Sequence, residues 1–134
     1  MPKIIAAFAI LLVAACGNPS TSQAPRAITA ALSYADWCSS CKMLDPKLAA
    51  VRQNHALEGI TFVTLDYTER DSGAFFMAAD NAGIGEAVSS HFAAEVKTGL
   101  LLLVDPATQE VVSVINKTMS ETEILSALTA ATAG

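Results

Sequence analysis

The chain has no basic cluster anywhere along its 134 residues, and 8 Lys and Arg stand against 13 Asp and Glu. Phosphate backbones are bound by concentrated positive charge, so a nucleic-acid partner is excluded. A mildly acidic balance suits a solvated, exported surface. The chain also lacks a disulfide framework. Its cysteines number 3, whereas a stapled domain wants an even set spread along the sequence. Two are close together and the third is far off, which points to two separate jobs. No apolar run approaches the roughly 20 residues a membrane-spanning helix needs. There are no internal repeats, and the length allows one domain rather than two.

What is present begins at the N-terminus. Met1-Pro2-Lys3 is a short positive start, and Ile4 to Ala15 is unbroken apolar sequence. This is too short to span a bilayer and has the flanks of a signal-peptide core. It ends Leu12-Val13-Ala14-Ala15-Cys16-Gly17. Small residues before a cysteine resemble the lipobox of bacterial lipoproteins. That resemblance implies a signal peptide over 1–15 and acylation of Cys16, with an ordinary signal peptide and an incidental Cys16 as the other reading. Residues 16–26 hold the cysteine and a small, polar, proline-bearing stretch, expected to be a flexible tether. A lipid there holds a protein to a membrane without spanning it. The expected location is the cell envelope, on the periplasmic side of a membrane. Gly17 is not the aspartate of inner-membrane lipoproteins, which tilts the expectation to the outer membrane. In such a compartment disulfides form and persist.

Residues 27–134 are expected to form the folded domain. Ala27–Tyr34 reads as a buried strand and Ser39 or Ser40 opens a helix reaching about Asn54, with Met43, Leu44, Leu48 and Val51 at helical spacing. His55, just past its end, suits a capping role. Ile60–Asp66 is a β-branched strand. Two helical pieces follow, Gly73–Asp80 and Glu86–Ala94. Leu100–Val104 and Glu110–Ile115 read as a hairpin, and Ser120-Glu121-Thr122-Glu123 has the pattern of a capping box before a last helix. Alternation of strands and helices predicts an α/β fold with a parallel portion and an antiparallel edge.

Chemistry concentrates at Cys38 and Cys41, at the strand-to-helix junction. A cysteine at a helix N-terminus meets unpaired backbone N–H groups and the positive end of the helix dipole, both of which favour thiolate. Thiolate is the attacking species in disulfide exchange. Cys38 is therefore expected to be the exposed nucleophile and Cys41, one turn further in, the buried resolving thiol.

The run Tyr34-Ala35-Asp36-Trp37-Cys38-Ser39-Ser40-Cys41-Lys42-Met43-Leu44-Asp45-Pro46 resembles the active-site segment of the thioredoxin superfamily. Its opening is similar to the exported C-terminal domain of DsbD-type reductant transporters, and Pro46 matches the family's helix proline. The resemblance implies a trimmed thioredoxin-like fold, a mixed four-stranded sheet with helices on both faces. The family's first strand and helix have almost no room between Cys16 and Ala27. It further implies thiol–disulfide oxidoreductase activity, tilted toward reduction or isomerisation, because Ser39-Ser40 lacks the histidine common in strong oxidants of this fold. The expected partners are disulfide-bonded exported proteins and a membrane thiol donor, with no cofactor and no metal.

The same resemblance makes Trp37, Lys42 and Asp36 supporting residues. Trp37 is read as a shield and substrate contact, or else as packing. Lys42 either favours thiolate or is merely solvated, and Asp36 carries the same two readings. Thr98-Gly99 occupies the substrate-docking loop, where the family has a cis-proline and this chain has none. Leu32 stands where the family has a buried aspartate that aids proton transfer. Two other functions are open: a copper or zinc metallochaperone using Cys38, Cys41 and His91, and a redox-inactive tethered binding module. Copper chaperones of this fold usually separate their cysteines by three residues, and here there are two.

Overall fold

The computed structural model describes residues 25–93 and 95–133. The expected signal peptide, Cys16 and the tether up to Ala24 lie outside the described residues.

Eight elements follow in order: β1 Ile28–Tyr34, α1 Ser39–Asn54, β2 Ile60–Asp66, α2 Ser72–Asn81, α3 Gly85–Phe92, β3 Leu100–Asp105, β4 Glu110–Asn116 and α4 Glu121–Ala133. The strands form one sheet in the order β2-β1-β3-β4. β1 and β2 are parallel, from Ile28 opposite Ile60 to Tyr34 opposite Asp66. Parallel neighbours need a crossover, and α1 supplies it. β1 pairs antiparallel with β3, Thr29 against Val104 and Ser33 against Leu100. The β3–β4 hairpin completes the sheet, with an irregularity between Leu103 and Val104.

Strand alternation divides the core into two layers. Ile28, Ala30 and Leu32 of β1 and Leu101 and Leu103 of β3 face α1 and α4, where Leu44, Leu48, Val51, Ile124 and Leu128 meet them. Ala31, Leu102 and Val104 face the other way, onto Phe75 and Ala79 of α2 and Ala87, Val88 and Phe92 of α3. Helices thus cover both faces of a mixed four-stranded sheet, as expected.

Local chemistry explains the boundaries. Cys38 is the N-cap of α1, and its Sγ accepts from the Cys41 N–H. Asp71 caps α2 through Ala74 N at 3.0 Å. Ser120 and Glu123 form the reciprocal capping box, with Glu123 N donating to Ser120 Oγ at 3.1 Å and Ser120 N to Glu123 Oε1 at 3.3 Å. α1 remains one helix through Pro46. α3 ends at Phe92, two residues before the expected Ala94, because Ala93 turns to φ 50° and leaves helical space.

The fold takes hold slightly earlier than the tether boundary at residue 26 implied. Arg26 N donates to Thr132 O at 2.9 Å, and its guanidinium pairs with Asp105 at 2.7 Å. Asp105, at the end of β3, is buried.

Candidate active site

The C-terminal end of β1 and the start of α1 bring Cys38 and Cys41 together, both as free thiols. Cys41 N donates to Cys38 Sγ at 3.2 Å. Cys41 Sγ also has Ser33 O within donating distance, at 3.5 Å. Cys41 is 1% exposed, and Cys38 is only 5% exposed. The expectation of an openly exposed Cys38 is therefore corrected. The cover is the segment leading into β3.

Thr98 and Gly99 are brought against the cysteines, at the position the resemblance assigned to a docking loop. Gly99 N donates to Ser33 O at 2.7 Å, and Ser33 Oγ exchanges hydrogen bonds of 3.2 Å with Leu100 O and Leu100 N. The end of β1 thus pins this loop beside the thiols. Gly99 has φ +85°, and a Cβ built on it would lie 2.4 Å from Ser40 Cβ and 3.4 Å from Cys38 Sγ. Only glycine gives both that backbone conformation and that approach. Among the described residues no peptide bond is cis, so the close approach is made by the absence of a side chain.

The two thiols differ in proton affinity. Burial disfavours the Cys38 thiolate, but hydrogen bonds from the Cys41 and Thr98 side chains and the Cys41 and Ser40 backbone outweigh it. Its pKa lies below the ordinary 9.0. For Cys41, burial comes first, and the hydrogen bond to Cys38 and the Cys38 charge add to it. Its pKa is pushed up to about 11, against smaller opposing contributions from the Ala35 and Gly99 backbone. A pair whose environments push its proton affinities apart has its roles divided.

Trp37 is 42% exposed. Its indole N–H donates to Thr68 O at 2.9 Å, its ring meets the edge of Tyr67, and the Arg70 guanidinium lies 4.0 Å above its centroid. Trp37 is thus a fixed surface aromatic adjoining Cys38 in the chain. Asp36 joins the same turn through its backbone, donating to Thr68 Oγ1 at 3.1 Å. The Asp36 carboxylate and the Lys42 ammonium are exposed and form no ion pair among the described residues. Leu32 is buried in the α1–α4 layer.

His91 is exposed at the end of α3. Among the described residues no three His, Cys, Asp or Glu side chains gather as a metal-binding group, so Cys38, Cys41 and His91 do not form the site the metallochaperone reading needs. Ser33, Thr68 and Arg70 were not picked out from the sequence. Each acts across the sheet or between loops, and no local motif marks such contacts.

A four-stranded mixed sheet flanked by four helices, with a Cys-x-x-Cys pair at the head of the first helix, is a thioredoxin-like fold. Residues 25–78, running from before β1 into α2, match the thioredoxin family model. No curated protein and no solved structure matches the chain. The matched stretch contains both cysteines and supports the thioredoxin superfamily and activity of the thiol–disulfide oxidoreductase kind.

Proposed function

We propose that this protein is an exported thiol–disulfide oxidoreductase that reduces or isomerises disulfides of other exported proteins. The observation that carries the reading is the division of the thiol pair, with Cys38 Sγ accepting the Cys41 N–H at 3.2 Å and Cys41 held protonated up to about pH 11. Cys38 thiolate attacks one sulfur of a substrate disulfide, forms a mixed disulfide and releases the other sulfur as thiolate. Cys41 then gives up its proton and attacks Cys38 Sγ, and the second substrate sulfur leaves. One departing sulfur takes the Cys41 proton. Two electrons pass to the substrate, and the Cys38–Cys41 disulfide is returned to dithiol by an external dithiol donor on the membrane.

Neither Ser33 O nor Leu32 is a base, so the proton of Cys41 passes directly to the leaving sulfur or to solvent. Trp37 adjoins Cys38 in the chain, and Thr98 and Gly99 lie over the Cys38 sulfur. The Tyr34-to-Cys38 run, similar to the exported domain of DsbD-type transporters, supports the reducing direction. The lipobox-like end of the apolar run supports a lipid on Cys16, with the protein in the envelope and the outer membrane preferred.

The roles are tested by alkylation and trapping. Reduced protein is expected to alkylate first at Cys38, with an apparent pKa below that of a free thiol. Cys41→Ser accumulates mixed disulfides with exported proteins, and Cys38→Ser accumulates none. Faster alkylation of Cys41, or an absence of adducts in both variants, overturns the assignment.

A further inference from the structure

The turn after β2 is tied to the active-site loop by three hydrogen bonds: Tyr67 N to Tyr34 O at 2.6 Å, Asp36 N to Thr68 Oγ1 at 3.1 Å, and Trp37 Nε1 to Thr68 O at 2.9 Å. Within it, Thr68 N donates to Asp66 Oδ1 at 2.8 Å and Arg70 N to Tyr67 O at 3.0 Å. This places Arg70 at φ +56°, a left-handed conformation that arginine adopts rarely and at a cost. The strained residue is the one whose guanidinium lies on Trp37, the neighbour of Cys38.

Arg70 stands among acids and pairs with none. Glu69 and Asp71 adjoin it in sequence, and Asp66 and Asp36 belong to the same pair of loops. Yet no carboxylate comes within 4.0 Å of its nitrogens among the described residues. Two of the four are engaged elsewhere, Asp66 by Thr68 N and Asp71 by Ala74 N. The Arg70 side chain makes no hydrogen bond to another described residue. A guanidinium stacked on an aromatic face keeps its in-plane N–H donors free for a carboxylate. Here those donors belong to an exposed residue stacked on Trp37, the chain neighbour of Cys38.

We propose that Arg70, laid on Trp37, is a specificity-determining residue that selects polypeptide disulfides carrying a carboxylate side chain beside the attacked cysteine. The proposal rests on the redox reading above. Because the arginine is held by stacking and by its turn, a substrate carboxylate meets a preorganised donor. Asp36 and Glu69 form no ion pair among the described residues, so their carboxylates weaken the attraction for an acidic flank, and Arg70 is the group that supplies it.

The test uses the full reduced chain and two disulfide-bridged peptides that differ only in Glu or Gln beside the first cysteine. Binding is read from Trp37 fluorescence, this being the one tryptophan, and reduction from single-turnover release of peptide thiols. The Glu peptide is expected to bind and react about two- to fivefold better, the size of one exposed ion pair. The advantage is expected to shrink at high salt, to vanish in Arg70→Gln and to survive in Arg70→Lys. Equal treatment of the two peptides by the native chain overturns the proposal, as does an advantage unchanged in Arg70→Gln or a failure of both peptides to bind. Selective binding without reduction would instead leave the Arg70 site standing and remove the redox reading. Should Arg70→Gln not fold, the salt dependence in the native chain decides the case, since an advantage insensitive to salt overturns it.

Discussion

At the scale of single residues, Cys38 and Cys41 are the same side chain three positions apart, given opposite proton affinities by their surroundings. Cys38 lies at the head of α1 and collects N–H donors, whereas Cys41 is one turn inside, against β1. This has a consequence for stability as well as reactivity. In the unfolded chain both thiols return to values near 9.0. Cys41, raised in the fold, contributes stability that is fully present below about pH 9 and lost as pH rises toward about 11. Cys38, lowered in the fold, acts in the opposite sense: its contribution is present above the ordinary thiol pKa and lost as pH falls through its own. Reduced protein is therefore expected to lose stability across the alkaline limb, and Cys41→Ser to lose less. Urea midpoints measured between pH 8 and pH 11 check this. Equal slopes in the two proteins would show that Cys41 is not held protonated by the fold.

At the scale of elements, what matters is how the segment entering β3 closes over the head of α1. Gly99 has φ +85°, with Ser40 Cβ only 2.4 Å from where its own Cβ would be. Gly99→Ala is expected to destabilise the protein by about 1–2 kcal/mol, through left-handed strain and the collision with Ser40. It is also expected to lift the loop from Cys38 and speed alkylation there. Denaturant midpoints and thiol kinetics read the two effects separately. Lower stability with unchanged Cys38 alkylation would mean that the loop is not the cover. The strands, α1 and the capping box of α4 were legible within a residue or two, because β-branched runs, Ser120 and Glu123 act locally. The cysteine pair was legible for the same reason, being one short motif at a junction. The near-closure of Cys38 was not, since it depends on the φ of a glycine some sixty positions away and on its contact with Ser40. The grip of Thr68 on Asp36 and Trp37, and the place of Arg70 on the indole, are likewise products of β1–β2 pairing. That pairing brings Tyr34 opposite Asp66, and neither segment announces it alone.

At the scale of the whole molecule, β1 separates the two ends that matter. Arg26 enters at its start, fastened to Thr132 and Asp105, and the thiols lie just beyond its finish at Tyr34. Seven residues of strand at about 3.3 Å each set these ends some 20 Å apart. If Cys16 carries a lipid, the ten residues from Cys16 to Arg26 can span at most about 35 Å. The chain enters the domain at the end of β1 opposite the redox site. A reach longer than the separation of the ends lets an anchored domain turn Cys38, Trp37 and Arg70 to the aqueous compartment and soluble disulfides. Mass spectrometry of the mature protein is expected to find an acylated N-terminal Cys16, and Cys16→Ser to move the protein out of the membrane fraction. With a soluble disulfide peptide, the released protein is expected to keep its reduction rate within about twofold, because the fold from Arg26 onward is untouched. Recovery of an unmodified N-terminus removes the anchor and leaves the thiol chemistry in place. A large loss of rate in the released protein would show instead that the anchored segment takes part in the site, contrary to the separation of ends that β1 imposes.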